Sequence, residues 1–371
     1  MKKRMLTILL GACVLTALGP AGGGSWGLPH ARAEMTRHSL IFFDTFDTVI
    51  TIIGYAEDQA TFDRVAGEAR SAFERYHKLY DAYNAYEGIR NIYTLNRDAA
   101  KNPVPVDEEL WALLLFVKEW QPRLRGTVNI ALGAVLSQWH GSRKAAGAGE
   151  SAAVLPDMAS LRAAAAHTNF DDVVLDEENR TVFFRDPLLM LDVGAVAKGF
   201  ATERVGRQML ASDMPSFIIN AGGNVRTGHP PAAGRHHWSI GLQDPEAALT
   251  AQAGQSLDVL YVEGLSVVTS GDYQRFYTVD GVRYHHIIDP ATLLPAGQNR
   301  AVTVLCEDSG LADILSTAVF ILPYEQGCAL VESLDGVEAL WVQAGEAEGE
   351  VRMTEGMRVY SNSAGAVNPE R

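Results

Sequence analysis

Asp313 and Thr317 stand four residues apart in the apolar run Leu311-Ala312-Asp313-Ile314-Leu315-Ser316-Thr317-Ala318. On a helix, positions i and i+4 lie one turn apart on the same face. The spacing therefore presents a carboxylate and a hydroxyl together. Two oxygen donors of this kind suit a hard cation such as Mg²⁺, which takes one or two carboxylates, keeps several waters and shares substrate phosphates. The plainer alternative is a helix N-terminal acid with a core threonine bonded back to its own backbone. The pair taken alone does not decide between them.

Three other stretches could carry chemistry. In Leu191-Asp192-Val193-Gly194-Ala195-Val196-Ala197-Lys198-Gly199-Phe200, two small residues sit between a strand-like run ending at Met190 and a helical pattern that continues through Val205 and Met209. Small residues at such a junction let a ligand approach the backbone, and a helix start offers unpaired N–H groups to phosphate oxygens. Lys198 adds a positive charge; a tight turn with a surface lysine is the alternative. In Asn220-Ala221-Gly222-Gly223-Asn224 the paired glycines permit positive φ and close backbone approach. Thr269-Ser270-Gly271-Asp272-Tyr273 is followed by Tyr284-His285-His286-Ile287-Ile288-Asp289-Pro290. Successive side chains at a strand end point to opposite faces, so one of the two histidines faces a given site. A histidine beside an Asp-Pro turn could act as a general base or touch a phosphate. A zinc-type site would need further nitrogen or sulfur ligands, and none stands at suitable spacing. A hairpin with surface histidines is the remaining alternative.

The elements that must position these groups follow from periodicity. Phe46 to Ile53 reads as a strand. Helical patterns span Asp58 to Tyr80, with Phe62, Val65, Ala69, Phe73 and Tyr76 on one face, and Asp107 to Trp120, opened by three acids. Residues 143–153 are rich in Gly, Ala and Ser and read as a mobile loop, and Pro156 to His167 as a helix. Val173 to Leu175 and Thr181 to Phe184 form a hairpin pattern. Further strands are expected at 217–226, 237–242, 256–262, 265–269, 276–279, 282–288 and 302–306, then a helix from Leu311 to Phe320. Glu338 to Val342 and Val351 to Tyr360 close the pattern, and the residues from Ser361 read as a disordered tail. Strands that cluster late and in hairpin succession point to an α+β fold, mixed but largely antiparallel, with packed helices.

Lys2-Lys3-Arg4, the apolar run to Leu18 and Ala31-Arg32-Ala33 form a signal-peptide pattern, with cleavage expected after Ala33. Leu10-Gly11-Ala12-Cys13 resembles a lipobox, and cleavage there would instead leave a lipid anchor at Cys13. Either route places the protein in the periplasm or cell envelope. The formal charge of −14 becomes about −18 once residues 1–33 and their four basic side chains are removed. So acidic a chain argues against nucleic acid as a partner, and any bound phosphate must be held by local groups and a metal. Removal leaves 338 of 371 residues, enough for one large domain, taken here as 34–360 with the tail at 361–371. Cys306 and Cys328 remain, and pairing between them stays open.

Taken together, Asp192 to Gly199, Asn220 to Asn224, Ser266 to Tyr273, His286 to Pro290 and Leu311 to Ala318 occur in the order seen in the FAD:protein FMN transferases, the ApbE family, which the whole mature chain resembles. The resemblance implies a T-fold-related architecture. It also implies Mg²⁺-dependent cleavage of FAD, with FMN passed to a Ser or Thr hydroxyl of a target flavoprotein and AMP released. By that likeness Asp313, Thr317 and the Ala195 carbonyl match metal-ligand positions. His286 matches the base or proton relay for the acceptor, with Asp313 the second catalytic group. Asp192, Lys198, Gly222, Gly223 and Ile287 match FAD-contacting positions. Phe46, Tyr83, Thr127, Val128 and Asn129 match more weakly, as flavin and adenine contacts. The implied acceptor is a subunit of a membrane redox complex. Thr292-Leu293-Leu294-Pro295 departs from a more usual Thr-Gly, Asn220 and Asn224 stand where aspartates are common, and Val128-Asn129 stands where Phe-Asp is common. The chemistry agrees with the assignment, since phosphoryl transfer needs charge neutralisation and positioning more than covalent help. An FAD pyrophosphatase and a non-catalytic FAD-binding protein are the rival expectations, and Asp313, Thr317 and His286 speak against the second.

Overall fold

The computed structural model describes residues 35–148, 154–249, 255–345 and 349–370. The signal peptide, the Ala33 cleavage site and Cys13 lie outside the described residues. The chain runs β1 (Thr36–Thr45), β2 (Thr48–Ala56), α1 (Gln59–Tyr80), α2 (Ile92–Asp98), β3 (Val104–Pro105), α3 (Glu108–Trp120), α4 (Gly133–Ala148), α5 (Met158–Ala165), β4 (Val173–Asp176), β5 (Thr181–Phe184), α6 (Ala197–Leu210), β6 (Phe217–Ala221) and β7 (Asn224–Thr227). It continues through β8 (Trp238–Gln243), β9 (Ser256–Val262), β10 (Ser266–Gly271), β11 (Phe276–Val279), β12 (Val282–His285), β13 (Asn299–Cys306), α7 (Ser309–Ile321), α8 (Tyr324–Glu332), β14 (Glu338–Gln343) and β15 (Val351–Met353).

Eight strands form one sheet in the order β1-β2-β6-β7-β10-β13-β14-β15. Every neighbouring pair in it is antiparallel, which is the α+β architecture expected. Both faces are covered, and strand β13 shows why. Alternate residues of a strand point to opposite faces. Val302, Val304 and Cys306 enter the core under the helices, while Ala301 and Leu305 enter the core under the β8–β9 hairpin. A third cluster joins α4 and α5 to the β11–β12 hairpin through Trp139, Leu161, Tyr277 and Ile288.

Helix starts follow their caps. Asp58, Asp107 and Asp308 accept backbone N–H groups at the starts of α1, α3 and α7. Helix α6 has no side-chain cap from its own segment. Its Gly199 N–H instead donates to Asp313 Oδ2 on α7, at 2.8 Å. The two helices approach so closely that a Cβ on Gly199 would lie 2.2 Å from the Ser309 carbonyl oxygen and 2.3 Å from Asp313 Cβ. Buried Glu203 ties the same junction: it accepts from Arg226 Nε at 3.0 Å, from Ser309 N at 3.0 Å and from Arg207 Nε at 2.8 Å. Gly199→Ala must push α6 off α7, and overpacking of this kind costs about 1–3 kcal/mol. A thermal melt is expected to show a clearly lowered Tm. A wild-type melting curve would show that the contact can relax.

Several expectations are corrected. Residues 361–370 are not a loose tail. Buried Ser361 donates to Asp258, Ser363 N–H donates to the same carboxylate at 2.9 Å, and buried Asn368 bridges to His237. Residues 143–148 continue α4 instead of opening a loop. Strand β1 and helices α2 and α8 were not anticipated. The pairing of Cys306 with Cys328, open from sequence, is not formed: both are free thiols, and burial pushes the Cys306 thiol up to about 12.

Candidate active site

A cleft of about 880 Å³ opens between the turn of the β1–β2 hairpin, the 127–143 segment, the start of α6, the β11–β12 hairpin and α7. That volume is at the upper end for small-molecule sites, about 300–1,000 Å³. Asp192, Ala195, Lys198, Gly222, His286, Ile287, Asp313 and Thr317 all line it, as do Tyr83, Thr127, Val128 and Asn129. Six stretches far apart in sequence thus converge on one cavity.

Asp313 is its most constrained group. It is buried. One carboxylate oxygen accepts the Gly199 N–H, and the other lies 3.8 Å from Lys198 Nζ and accepts from Asn224 Nδ2 at 3.4 Å. Burial raises its pKa, and Lys198 and the Gly199 N–H only partly offset that. The carboxylate is therefore short of positive charge. Asn224 Oδ1, on the neighbouring strand, is buried without a hydrogen-bond partner. Thr317, one turn further along α7, is half-buried and lines the same cleft, as does Ala195. A carboxylate, a hydroxyl and a carbonyl in one pocket form an all-oxygen donor set, which fits Mg²⁺ better than a nitrogen- or sulfur-seeking ion. Among the described residues no group of three His, Cys, Asp or Glu side chains could hold a metal, so a cation here depends on these oxygens and on substrate phosphate.

The two histidines depart from the strand-alternation expectation, because both line the cleft. Strand β12 ends at His285, so alternation no longer governs His286. His285 Nε2 is bonded to the Ala296 carbonyl and its ring meets Phe320 edge-on. His286 keeps part of its surface open to the cavity, and its Nδ1 lies 3.3 Å from the Arg275 carbonyl. A carbonyl only accepts, so Nδ1 carries the proton and Nε2 holds the lone pair. Burial lowers the pKa of His286 well below the usual histidine value, and the charges of Arg275, Lys198 and Arg143 lower it further. It is a neutral base at neutral pH.

The remaining positions divide. Tyr83 donates to Asp192 Oδ2 at 2.7 Å and stacks on His140 with centroids 4.2 Å apart. Burial and the Asp192 charge raise the Tyr83 pKa far above the ordinary phenol value. Asp192 Oδ1 also accepts the Gly194 N–H, which shapes the turn before α6. Thr127 spends its hydroxyl on the Leu124 carbonyl and Asn129 its amide on the Thr168 carbonyl. Their side-chain polar groups are thus committed to shaping this wall. Gly222 has φ +61, and a Cβ there would lie 2.0 Å from Thr48 Oγ1, so no side chain fits. Gly223 lies behind it, outside the lining, and its N–H bonds Asn220. The Phe46 ring is not in the lining: it packs edge-on against His77. Its contribution is a carbonyl, which with that of Asp47 accepts from Arg275 Nη2 at 2.9 and 3.1 Å.

Arg275, Arg143, His140 and the aromatics Trp139, Tyr273, Tyr277 and Tyr284 also line the cleft. Sequence reasoning gave none of them a role, although Tyr273 and Tyr284 stand in stretches it singled out. Arg275 lies two residues beyond Tyr273, at the end of a stretch already singled out, and a lone arginine there carries no motif. Its position predicts a measurable effect. Arg275→Gln removes a positive neighbour of His286, so the His286 pKa should rise toward its ordinary value. The base form is then lost at higher pH, and the acid limb of kcat/KM should move upward. An unmoved limb would remove Arg275 from that role.

A model of the ApbE family matches residues 46–341. The chain is similar to an FAD:protein FMN transferase of Treponema pallidum, 32% identical over 347 residues and covering 89% of each chain. It is similar to one of Klebsiella pneumoniae, 33% identical over 293 residues, covering 78% of this chain and 84% of the relative. Among solved structures, the ApbE protein of Thermotoga maritima aligns with a TM-score of 0.74 at 25% identity, over 88% of this chain and 99% of that one. The flavin transferase ApbE of Vibrio cholerae shares the fold, with a TM-score of 0.71 at 20% identity over 88% and 100%.

Proposed function

This chain belongs to the ApbE family and transfers FMN from FAD to a protein, and on that premise we propose how its cleft does so and on what. The acceptor group is a Ser or Thr hydroxyl. Its oxygen attacks the FMN phosphorus of FAD, the bond from that phosphorus to the bridging oxygen breaks, and AMP leaves carrying that oxygen. His286 Nε2 takes the hydroxyl proton. The observation that carries the reading is the meeting in one cleft of a neutral, oriented histidine and the oxygen set of Asp313, Thr317 and Ala195.

Asp313, Thr317 and the Ala195 carbonyl would hold Mg²⁺. When bound, that cation neutralises charge on the pyrophosphate and its leaving oxygen. Lys198, held by Asp313, adds a second positive charge at the same place in a chain that is otherwise acidic. Asp192, fixed by Tyr83 and Gly194, shapes the turn on which Ala195 and Lys198 sit. The aromatic wall of Trp139, Tyr277 and Tyr284 offers the apolar surface a flavin or adenine ring needs.

The physiological acceptor is proposed to be a subunit of a membrane redox complex, met in the periplasm or cell envelope after export, either as a soluble protein or anchored at Cys13. Among the described residues no helix is long and apolar enough to cross a membrane. Mass measurement of the amino terminus of the exported protein separates cleavage after Ala33 from processing at Cys13. The reaction itself is tested by incubating the mature protein with FAD, Mg²⁺ and a candidate acceptor domain and weighing the acceptor. Covalent FMN with AMP in solution is the expected result. Free FMN alone would mean a pyrophosphatase, and intact FAD a binding protein.

A further inference from the structure

The reaction needs a second protein whose hydroxyl reaches His286, and among the described residues the sheet edge that runs into the cleft has no further strand on it. Strand β1 is the edge of the eight-stranded sheet, and among the described residues it pairs with β2 alone. It is ten residues long. Edge strands of that length are ordinarily shortened, charged or covered, because their free N–H and C=O groups recruit other chains. Here the outward row is Arg37, Ser39, Ile41 and Phe43, all exposed, with Ile41 at 55% and Phe43 at 65%. The other face is seated, with Phe42 buried in the core over α1. The β8–β9 hairpin covers the sheet only as far as Ile53 and Tyr55 of β2.

The strand leads to the chemistry. It ends in the turn at Phe46 and Asp47, with φ of 54 and 50, both in the left-handed region. That turn is pinned from two sides. Phe46 N–H donates to His77 Nδ1, and Arg275 Nη2 donates to the carbonyls of Phe46 and Asp47. The carbonyl of the same Arg275 faces His286 Nδ1. One arginine therefore separates the end of the open strand from the base. Phe43, Asp47, Thr48 and Val49 line the cleft itself, so the exposed apolar row runs into its mouth.

We propose that β1 is the docking strand for the acceptor. An extended segment of the flavin-accepting protein pairs with its free edge, packs on Ile41 and Phe43, and so carries its Ser or Thr hydroxyl past the Phe46–Asp47 turn to His286. Backbone pairing supplies the grip and the apolar row supplies the register, as in other cases of strand addition. The proposal rests on the FMN-transfer reading.

The test uses an acceptor domain that the wild-type protein flavinylates by mass. Ile41 is exposed and outside the cleft lining, so Ile41→Arg spares the FAD site. The acceptor KM is expected to rise about tenfold or more, while FAD affinity, read by flavin fluorescence, stays at the wild-type value. Val359→Arg, an exposed apolar residue in the short helical turn after β15 and outside the cleft lining, should change neither. Hydrogen exchange at the β1 amides that face away from β2 should slow only when acceptor is added. An unchanged acceptor KM for Ile41→Arg overturns the proposal. So do outward-facing β1 amides, those not bonded to β2, that are already protected without acceptor, whether by residues preceding Thr36 or by a second copy of the chain. Wild-type protein that modifies no acceptor at all would instead overturn the FMN-transfer reading, a result visible before any variant is made.

Discussion

Asp313→Asn is expected to reduce FMN transfer by on the order of 10³-fold, the scale seen when one preorganised electrostatic group is removed, without unfolding the protein. The substituted side chain keeps an oxygen for the Gly199 N–H that Asp313 now accepts at 2.8 Å. Its new N–H₂ group can face Asn224, whose Oδ1 is buried and unpartnered and could turn to accept. The sign of the stability change follows from the raised pKa of Asp313. A carboxyl whose folded pKa lies above its unfolded value favours the protonated form, so its ionised form costs stability at neutral pH. In metal-free buffer at neutral pH the variant should melt no lower than wild type. Adding Mg²⁺ with FAD should raise the wild-type Tm and leave the variant's shift smaller, because a ligand stabilises only the state that binds it. Asp313→Ala is the less informative change, since it leaves the Gly199 N–H unpaired at a cost of about 1–3 kcal/mol. Normal Mg²⁺-dependent turnover in Asp313→Asn would take the cation away from this carboxylate.

The difference between what was legible and what was not is a difference in range. The face shared by Asp313 and Thr317 is set by a 3.6-residue period, and α7 has it. The same holds for the buried face of α1. Turns that need glycine were legible at Gly222 because its conformation is local. Features decided by distant partners were not. The segment after Ser361 is polar and reads as loose, yet its order comes from Asp258, about a hundred residues earlier in the chain. Residues 143–148 have a loop-like composition, but they extend a helix already anchored by Trp139, whose indole N–H bonds the Leu293 carbonyl. The start of α6 was expected to offer its N–H groups to phosphate, and one of them is taken by Asp313 instead. Phe46 was expected among the flavin contacts, yet its ring faces His77 and its carbonyl is what meets Arg275 at the site. Arg275 acts through its backbone carbonyl and its guanidinium at once, and no spacing rule announces that.

His286→Ala is expected to lower transfer to the acceptor by about 10²–10⁴-fold, the range for a positioned general base, and to leave FAD binding nearly unchanged. The separation follows from where the ring sits. Its Nδ1 is spent on Arg275 and its Nε2 is the lone pair left for the cleft, so the side chain handles a proton and does not anchor the dinucleotide. The backbone N–H of residue 286 bonds the Arg275 carbonyl whatever its side chain, so the turn beyond β12 should persist. Metal-dependent stabilisation should persist too, because Asp313 and Thr317 lie on another element. The pH profile adds a test that a structural role would not pass. In wild type the base form survives to well below the ordinary histidine pKa, since burial, and after it the charges of Arg275, Lys198 and Arg143, disfavour the imidazolium. Raising the pH from about 6 to 8 should therefore change wild-type kcat/KM little, with the loss falling at lower pH. In His286→Ala that acid limb should vanish, and added imidazole should restore part of the rate by supplying a base to the vacated space. Transfer within tenfold of wild type, with the acid limb intact, would assign the acceptor's proton to another group.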